Sequence, residues 1–301
     1  MTTDHRPKSP HYIIPEVQVL DDMPVQFRAR FEKAVKLMYT LLGEAITWEQ
    51  IAEQCAISPF HFHRQFTQLF FETPGQYMSR MRIQFAVELL IEKPKLSITD
   101  VAHVAGYSSS QAMAKVFNRV LSVTPKKIRQ LMQTGTPEQM SNLLAKLAAP
   151  ENKQMQEYQL ASEANYEVNF IPARYLKKEM GVSEHAVEEY TFATEDAGTY
   201  VSVLPLHQLE NAWTDIDISV GNFVESSTAD TILVPEGQYL CSDALVISAV
   251  GYDASWQGLF DYAERENLDL DDNGFCVEIS HGGREDKTEG YLFSFQIPLK
   301  G

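Results

Sequence analysis

Cysteine is scarce in this sequence, which has three among 301 residues: Cys55, Cys241 and Cys276. They lie far apart and form no Cys-x-x-Cys pair, which excludes a zinc ribbon and gives no support to a disulfide framework. Long apolar runs are also missing, since even the stretch 244–247 is far shorter than a membrane span. We therefore expect a soluble protein of the cytoplasm, where thiols stay reduced.

Catalytic and metal-binding motifs are lacking as well. The sequence contains neither Gly-x-Ser-x-Gly nor His-Glu-x-x-His, and it has no glycine-rich phosphate loop. His61 and His63 are two positions apart, so on a helix their side chains diverge and make a poor metal pair. We accordingly expect no catalytic residues, no metal site and no cofactor, and we do not expect an enzyme.

Positive charge is scarce in the second half alone. The first 150 residues carry 17 Lys+Arg against 13 Asp+Glu, a net charge of +4, whereas residues 151–301 carry 8 against 28, a net charge of −20. Within 55–130 there are 10 basic and 4 acidic residues. The first half can therefore bind a polyanion that the second half would repel.

Hydrophobic patterning divides the chain in the same way. Apolar residues recur with the helical period to about Met132, and in the second half they alternate with polar residues, as at Tyr291, Phe293 and Phe295. The sequence thus predicts a multi-domain protein, with an all-α N-terminal domain followed by an α+β C-terminal domain that has an antiparallel sheet with helices. One amphipathic helix is predicted in the second half, over 253–266.

The predicted domain limits follow from the same patterns. The segment 1–24 is polar and punctuated by proline, so we expect an extended arm. The helical domain covers 25–135, a linker with a short helix over 138–147 covers 136–157, and the sheet domain covers 158–301.

The helical half contains an internal repeat. A capping-box sequence at Thr47 recurs fifty positions later at Ser97, and small residues that let two helices cross closely follow each copy. Ser58 and Ser108 are expected to cap the next helix of each copy. Such a turn also occurs in helix pairs that bind no nucleic acid, but the basic charge of this stretch favours two DNA-reading helix-turn-helix units.

The second helix of each unit is predicted to enter the major groove of double-stranded DNA. In the first unit the apolar face is formed by Phe62, Phe66 and Leu69, and the base-contacting residues are Phe60, His63 and Arg64. Arg64 can donate two hydrogen bonds to guanine. In the second unit the predicted base-contacting residues are Ser110, Gln111, Ala112 and Lys115. The predicted phosphate-contacting residues are Thr67, Lys126, Lys127 and Arg129, of which the basic ones also fit an ordinary solvated face.

A long helix from Pro74 to about Lys93 is predicted to join the two units. At about 1.5 Å per residue it spans roughly 29 Å, close to the roughly 34 Å between successive major-groove faces. With the motifs SPFHFHRQF and VAHVAGYSSSQAMAKVFNRVLSVTPKKIR, residues 27–130 resemble the DNA-binding domain of AraC-type transcription regulators. The resemblance implies paired helix-turn-helix units joined by one long helix, with base contacts at the positions named above for each unit.

The second half resembles the GyrI-like effector-binding fold. The segment YEVNFIPARYLKKEMG is similar to its opening strand, VPEGQYLCSDAL to its middle strand, and FCVEISHGG with EGYLFSFQIPL to its closing hairpin. AraC-type regulators that carry this domain at the C-terminus are known as a class. The resemblance implies a small effector, and Glu278 matches the acidic residue that many members use for cationic, aromatic ligands.

Alternation along the strand of Glu278 assigns its side chains to two faces. Phe275, Val277 and Ile279 are predicted to lie on the helix-packed face, and Cys276, Glu278 and Ser280 on the other. A buried carboxylate needs a counter-charge, so Glu278 is predicted either to bind a cationic effector or to be solvated or paired with a local Lys or Arg. The further predicted effector-binding residues are Tyr239, Tyr252, Trp256 and Tyr291. Trp256 also fits the packed core, because its helical neighbours are apolar.

Together these patterns predict a sequence-specific transcription regulator that binds double-stranded DNA and a small, cationic or aromatic effector. RNA polymerase is a candidate partner, and no membrane is expected to take part. Two alternatives stay open: a GyrI-like small-molecule hydrolase tethered to a DNA-binding domain, and a module that sequesters a ligand or a protein.

Overall fold

The computed structural model describes residues 10–21, 23–151, 154–181, 199–283 and 290–301. Within these ranges the helices are α1 (Pro15–Asp21), α2 (Val25–Thr40), α3 (Trp48–Gln54), α4 (Pro59–Phe70), α5 (Pro74–Glu92), α6 (Ile98–Val104), α7 (Ser110–Leu121), α8 (Pro125–Thr134), α9 (Pro137–Leu144), α10 (Gln156–Ser162) and α11 (Ala249–Arg265). The strands are β1 (His11–Ile13), β2 (Pro150–Glu151), β3 (Gln154–Met155), β4 (Glu167–Ile171), β5 (Arg174–Gly181), β6 (Tyr200–Pro205), β7 (Ser219–Val224), β8 (Thr231–Val234), β9 (Gly237–Val246), β10 (Phe275–Gly283) and β11 (Tyr291–Leu299). None of the helices in these ranges is both long and apolar enough to span a membrane.

The backbone of the helical half, α2 to α9, repeats itself. Both helix-turn-helix units begin with a complete capping box, as predicted, and the caps are Thr47 and Ser97. The turn inside each unit passes through a left-handed residue, Ala56 at φ 55° and Gly106 at φ 77°. The second helices, α4 and α7, have 12 residues each and end at residues in that same conformation, Phe71 and Ser122. The two units therefore share their first capping box and a left-handed residue in the turn.

The cap of α7 differs from the predicted one. The Oγ of Ser109 accepts a hydrogen bond from the Ala112 N–H at 3.1 Å, whereas Ser108 is exposed and precedes the cap. The prediction of Ser108 was wrong by one residue, because the turn of the second unit is one residue longer than that of the first.

Helix α5 joins the two units and belongs to both of their cores. Residues of its first half, such as Tyr77 and Met81, are buried with α2, α3 and α4. Residues of its second half, such as Val87 and Leu90, are buried with α6, α7 and α8. A movement of α5 is therefore felt by both units, since packed cores transmit displacement.

The predicted linker over 136–157 contains the short helix predicted within it, but its first half is packed rather than free. Helix α9 and the 3₁₀ turn Ala145–Leu147 occupy its first half. Met140, Leu143 and Leu147 are buried in the core of the second helix-turn-helix unit. Burial of these apolar side chains fixes the segment, because each contributes about 1.5–3 kcal/mol when it leaves water.

The predicted extended arm over 1–24 also needs correction. Strand β1 pairs in parallel with β9, with His11 opposite Ala244, and the next residues form the helix α1 rather than an extended chain. Ile13 is buried in the core of the sheet, which accounts for the attachment. Residues 1–9 lie outside the described residues.

The second half is built on a mixed sheet. The described strands follow the order β1-β9-β11-β10-β6-β7-β5-β8, and β4 also pairs with β9. Only the β1–β9 pair is parallel among the pairs of this described sheet. Helix α11, which begins four residues before the predicted start at 253, packs on one face with α10.

The face assignment of β10 was the reverse of the structure. Cys276 is buried on the side of α11 together with Phe295 and Leu259, whereas Val277 and Ile279 belong to a second cluster on the other side. Alternation shows which residues share a face but not which face a helix covers. Here both faces bury apolar side chains, so hydrophobicity did not distinguish them.

Candidate functional site

Helix α4 presents polar side chains because three of its phenylalanines, Phe62, Phe66 and Phe70, point inward. Ser58 caps the helix through the His61 N–H, and Pro59 occupies its first position. Phe66 and Phe70 stack in the core with ring centroids 4.2 Å apart, so Phe70 is buried where Leu69 was expected, and Leu69 is half-buried.

The predicted base-contacting residues of α4 lie on its outer face. Phe60 is 79% exposed, and His63 and Arg64 are exposed as well. The His63 ring lies 5.4 Å from the Trp48 ring between centroids, which restricts its orientation. The Thr67 hydroxyl donates to the His63 carbonyl at 2.8 Å, so its proton is used within the helix. The surface combines one guanidinium, one imidazole and one exposed phenyl ring.

Helix α7 presents a smaller set of polar groups. Gln111 and Lys115 are exposed, whereas Ser110 and Ala112 are half-buried. The N–H of Ala112 is occupied by the cap, and its methyl group offers only apolar contact. Lys115 and Gln111 therefore supply the long polar side chains of this helix.

The predicted phosphate contacts divide into two groups. Lys126 and Lys127 are exposed on the first turn of α8, where Thr124 caps the helix through the Lys127 N–H. Arg129 is half-buried, and its guanidinium donates to the carbonyl oxygens of Leu96 and Lys93 in the loop before α6. Its assignment to a phosphate is therefore corrected: Arg129 holds that loop to α8.

A cavity of about 430 Å³ lies between the helical half and the sheet. One wall consists of residues from α5, α8 and α9, and the opposite wall of residues from α11, β6, β7 and β10. The lining is mainly apolar and aromatic, with the carboxylates of Glu88, Glu138, Asp253 and Glu278. Among the described residues that line it there is no lysine, arginine or histidine.

Glu278 is the most deeply buried of these carboxylates, with 6% of its surface exposed. It accepts a short hydrogen bond from the Tyr252 hydroxyl. Burial raises its pKa to about 7, and the hydrogen bonds from Tyr252 and Trp256 limit that rise. The predicted group of Glu278, Tyr252 and Trp256 is thus together at one cavity, and no Lys or Arg is bonded to this carboxylate among the described residues.

Trp256 lines the cavity and is also part of the packed face. Its ring meets Phe295 edge-on with centroids 4.9 Å apart and lies 6.5 Å from Phe260. The two roles that the sequence left open for Trp256 are therefore compatible.

Tyr239 and Tyr291 do not belong to the lining. Tyr239 is buried on the opposite face of the sheet, where its ring lies 5.6 Å from the Arg174 guanidinium and its hydroxyl donates to the Pro235 carbonyl at 3.0 Å. Tyr291 packs on the α11 side and is not among the residues that line the cavity. The expectation of one groove lined by all four aromatic residues is therefore corrected to Tyr252 and Trp256.

Two further carboxylates of the cavity were missed by the sequence analysis. Glu88 of α5 is half-buried, accepts the Ala249 N–H at 3.2 Å, and has its pKa raised to about 7 by desolvation. Asp253 accepts hydroxyl hydrogen bonds from Ser141 at 2.8 Å and Tyr158 at 2.6 Å. The feature of the sequence that could have identified Glu88 as a buried carboxylate is its place inside the apolar run FAVELLI.

Comparison with known proteins matches the helical half. Residues 51–131 match the family model described as a helix-turn-helix domain. The chain is 34% identical over 88 residues to the HTH-type transcriptional activator RhaS of Escherichia coli O139:H28, and 33% identical over 88 residues to RhaS of Shigella boydii serotype 18. Each alignment covers 29% of this chain and 31% of the relative, so the chain spans about a third of the length of these relatives.

Two solved structures resemble the same part. A transcriptional regulator of Chromobacterium violaceum with an AraC-type DNA-binding domain is 23% identical, covers 36% of this chain and 96% of its own, and has a TM-score of 0.33. The DNA-binding domain of AdpA, solved with a target DNA, is 28% identical, with coverages of 34% and 90% and a TM-score of 0.32. The matched residues 51–131 cover most of the two capped units described above, so this part of the chain is similar to helix-turn-helix domains.

Proposed function

We propose that this protein is a DNA-binding transcription regulator of the AraC type whose second half binds a small cationic, aromatic effector. The part over 25–135 reads double-stranded DNA, the part over 158–301 is a GyrI-like effector domain, and the protein acts in the cytoplasm. One observation carries the proposal: a mainly apolar cavity with buried carboxylates is walled on one side by the helix that joins the two helix-turn-helix units.

The DNA side of the proposal is supported by the exposed faces of α4 and α7. Each helix starts at a capped N-terminus and exposes polar side chains in its first two turns, where a reading helix contacts base edges. Helix α5 has 19 residues. At about 1.5 Å per residue this separates the units by a length close to one duplex turn of roughly 34 Å.

The first prediction separates base reading from phosphate binding. Arg64→Ala should cost about 1–3 kcal/mol on the cognate site and relax preference at one base pair, because an arginine on a base edge discriminates. Lys126→Ala should weaken binding to all sequences alike and lower the slope of log affinity against log salt by about one. The measurement is full-chain binding to a site selected from a random pool and to a scrambled duplex, at several salt concentrations.

Lys177→Ala is the matched control, since this exposed lysine lies on β5 of the sheet half. It should change neither affinity nor salt slope. Equal losses on cognate and scrambled DNA for Arg64→Ala would remove Arg64 from base reading.

The effector side is supported by the chemistry of the cavity. Its volume of about 430 Å³ suits a small molecule, and Tyr252 and Trp256 offer ring faces beside the Glu278 carboxylate. A cation compensates a buried carboxylate, and aromatic faces attract a cation through their quadrupole.

The second prediction tests the charge at this position. Glu278→Gln should weaken binding of para-methylbenzylamine about tenfold or more, because the ammonium loses its counter-charge, a difference of about 1.4 kcal/mol. It should change binding of the neutral analogue para-methylbenzyl alcohol by less than about twofold. Calorimetric titration of the full chain measures both, and equal losses for the two compounds would separate Glu278 from cation binding.

The effector would regulate by favouring one arrangement of the two halves. A ligand shifts such a balance only through its different affinity for the two states. Because both halves wall the cavity, any change in their arrangement changes its shape. We include RNA polymerase as a partner of the DNA-bound protein on the resemblance to AraC-type regulators.

The alternative of a tethered hydrolase finds less support at the cavity. Its thiol, Cys276, is buried, and desolvation raises its pKa, which disfavours the nucleophilic thiolate. Turnover of an electrophilic small molecule by the full chain would favour the hydrolase instead.

A further inference from the structure

Two carboxylates of the cavity come from different halves of the protein. Glu278 lies on β10 in the sheet, and Glu88 lies on α5, between the two helix-turn-helix units. Both accept hydrogen bonds from neutral donors: Glu278 from the Tyr252 hydroxyl and the Trp256 indole, and Glu88 from the Ala249 N–H.

The other two acidic residues of the lining are already accommodated. Asp253 accepts hydrogen bonds from the hydroxyls of Ser141 and Tyr158. Glu138 is exposed and therefore hydrated. Asp253 joins the two halves through Ser141, whereas the described donors to Glu88 and Glu278 all lie on α11. Glu88 and Glu278 are therefore the two buried carboxylates that a cation can compensate.

A ligand with a single positive charge can compensate only one of these two sites. The other carboxylate would then stay desolvated without a counter-ion or would bind a proton. No cationic side chain of the described lining can replace the second charge. The apolar and aromatic side chains between the walls favour a rigid aromatic body that joins two positive groups.

The lining also contains a donor that no described residue pairs with. The indole nitrogen of Trp213, which lines the cavity, is buried and has no hydrogen-bond partner among the described residues. Buried donors are seldom left unpaired, because each such group costs about 1–3 kcal/mol. An ammonium group only donates hydrogen bonds, so this N–H supports the aromatic ring of the ligand, whose π face can accept it, and not the two charges.

We propose that the effector is an aromatic dication, with one positive group bound by Glu278 and the other by Glu88. This inference rests on the proposed function and names its ligand class. Glu88 is then a specificity-determining residue supplied by the DNA-binding half, and the bound dication bridges the sheet and α5. Since α5 packs in both helix-turn-helix cores, the second charge is sensed directly by the DNA-reading part.

The test uses two pairs of compounds that differ in one ammonium group. They are para-xylylenediamine with para-methylbenzylamine, and bis(aminomethyl)biphenyl with its monoamine; the two diamines differ in the separation of their charges. Calorimetry on the full chain should show that at least one diamine binds about tenfold or more tightly than its monoamine. Glu88→Gln should abolish that preference and leave monoamine binding within about twofold.

Two variants and one further measurement complete the design. Glu264→Gln changes an exposed carboxylate of α11 and should leave the preference intact. Glu278→Gln should weaken both diamine and monoamine. In a DNA-binding titration, the preferred diamine should change the affinity for the selected site in the unaltered protein and not in Glu88→Gln. Circular dichroism and denaturation of each variant verify that it is folded.

Each outcome has a defined meaning. Equal affinity for diamine and monoamine in both pairs would overturn the dication, even if Glu278→Gln still weakens the monoamine. A preference that survives Glu88→Gln would overturn the role of Glu88. If none of the amines binds, both the inference and the proposed effector site fail. If the amines bind and only the diamine depends on Glu88, both are supported.

Discussion

At the scale of single residues, one hydroxyl sets the start of α7, which we propose to read DNA. The Ser109 side chain satisfies the Ala112 N–H at the start of α7, and the neighbouring Ser108 is exposed. Ser109→Ala should lower the free energy of unfolding by about 0.5–2 kcal/mol, because a free N–H then remains at the helix start. Ser108→Ala is the matched control and should change it by less than about 0.5 kcal/mol.

Urea denaturation of both variants, followed by circular dichroism, measures this difference. Ser109→Ala should also weaken cognate DNA binding, since α7 carries Gln111 and Lys115. A larger loss of stability for Ser108→Ala would assign the cap to Ser108.

Residue types in the sequence predicted which chemical groups are exposed better than they predicted which atoms those groups bond to. The exposed positions of Phe60 and Arg64 followed from helical spacing around buried aromatic residues. The interaction of Arg129 did not, because its acceptors are carbonyl oxygens more than thirty residues earlier in the chain. A cationic side chain near a helix start is equally suited to phosphate and to a backbone carbonyl, and only the fold decides between them.

At the scale of elements, local signals predicted the helical half well. Capping boxes, proline at the first helical position and small residues at the turns are local, and they located α3 to α8. The segment before α2 was misjudged because β1 gains its stability from β9, more than 230 residues later. An isolated three-residue strand has no local signal for such a partner.

In the sheet as well, the sequence pattern predicted which residues share a face but not which element packs on that face. Period-two alternation correctly separated Cys276 and Glu278 from Val277, but the side covered by α11 depends on tertiary packing. The cavity could not be predicted from the sequence for the same reason, because α5, α9 and α11 form it together and come from three distant parts of the chain. Glu278 was predicted as an effector-binding residue because it is a carboxylate on an apolar strand and matches the family's acidic residue. Glu88 looked like an ordinary helix residue.

At the scale of the whole molecule, acidic groups are concentrated where the two halves meet. Glu157 of α10 is buried and accepts the Ala149 N–H at 2.7 Å. Near it, Arg80 of α5 pairs with the buried Glu72 at 2.6 Å and also donates to the Leu147 carbonyl. Desolvation raises the pKa of Glu157 to about 7, as it does for Glu88 and Glu278.

These raised pKa values have a definite consequence for stability. A native pKa of about 7, against 4.5 for the ordinary group, means that the folded protein binds more protons than the unfolded chain between those pH values. The free energy of unfolding therefore rises as pH falls from about 8 towards 5. In the opposite direction, this added stability is lost as pH rises through about 7. Each fully buried carboxyl group accounts for up to about 3 kcal/mol of this change in the free energy of unfolding.

The measurement is the free energy of unfolding in urea at constant ionic strength, between about pH 5 and pH 8. We expect it to increase towards the acidic end by several kcal/mol in total, since buried carboxylates become neutral there. Glu278→Gln and Glu88→Gln should each flatten the curve and raise stability at the alkaline end, because neither amide carries a charge. Glu264→Gln, on an exposed carboxylate, should leave the slope unchanged. A curve that falls steadily from pH 8 to pH 5 would contradict the buried acidic junction between the two halves, and with it the charge that the cavity offers to a cationic effector.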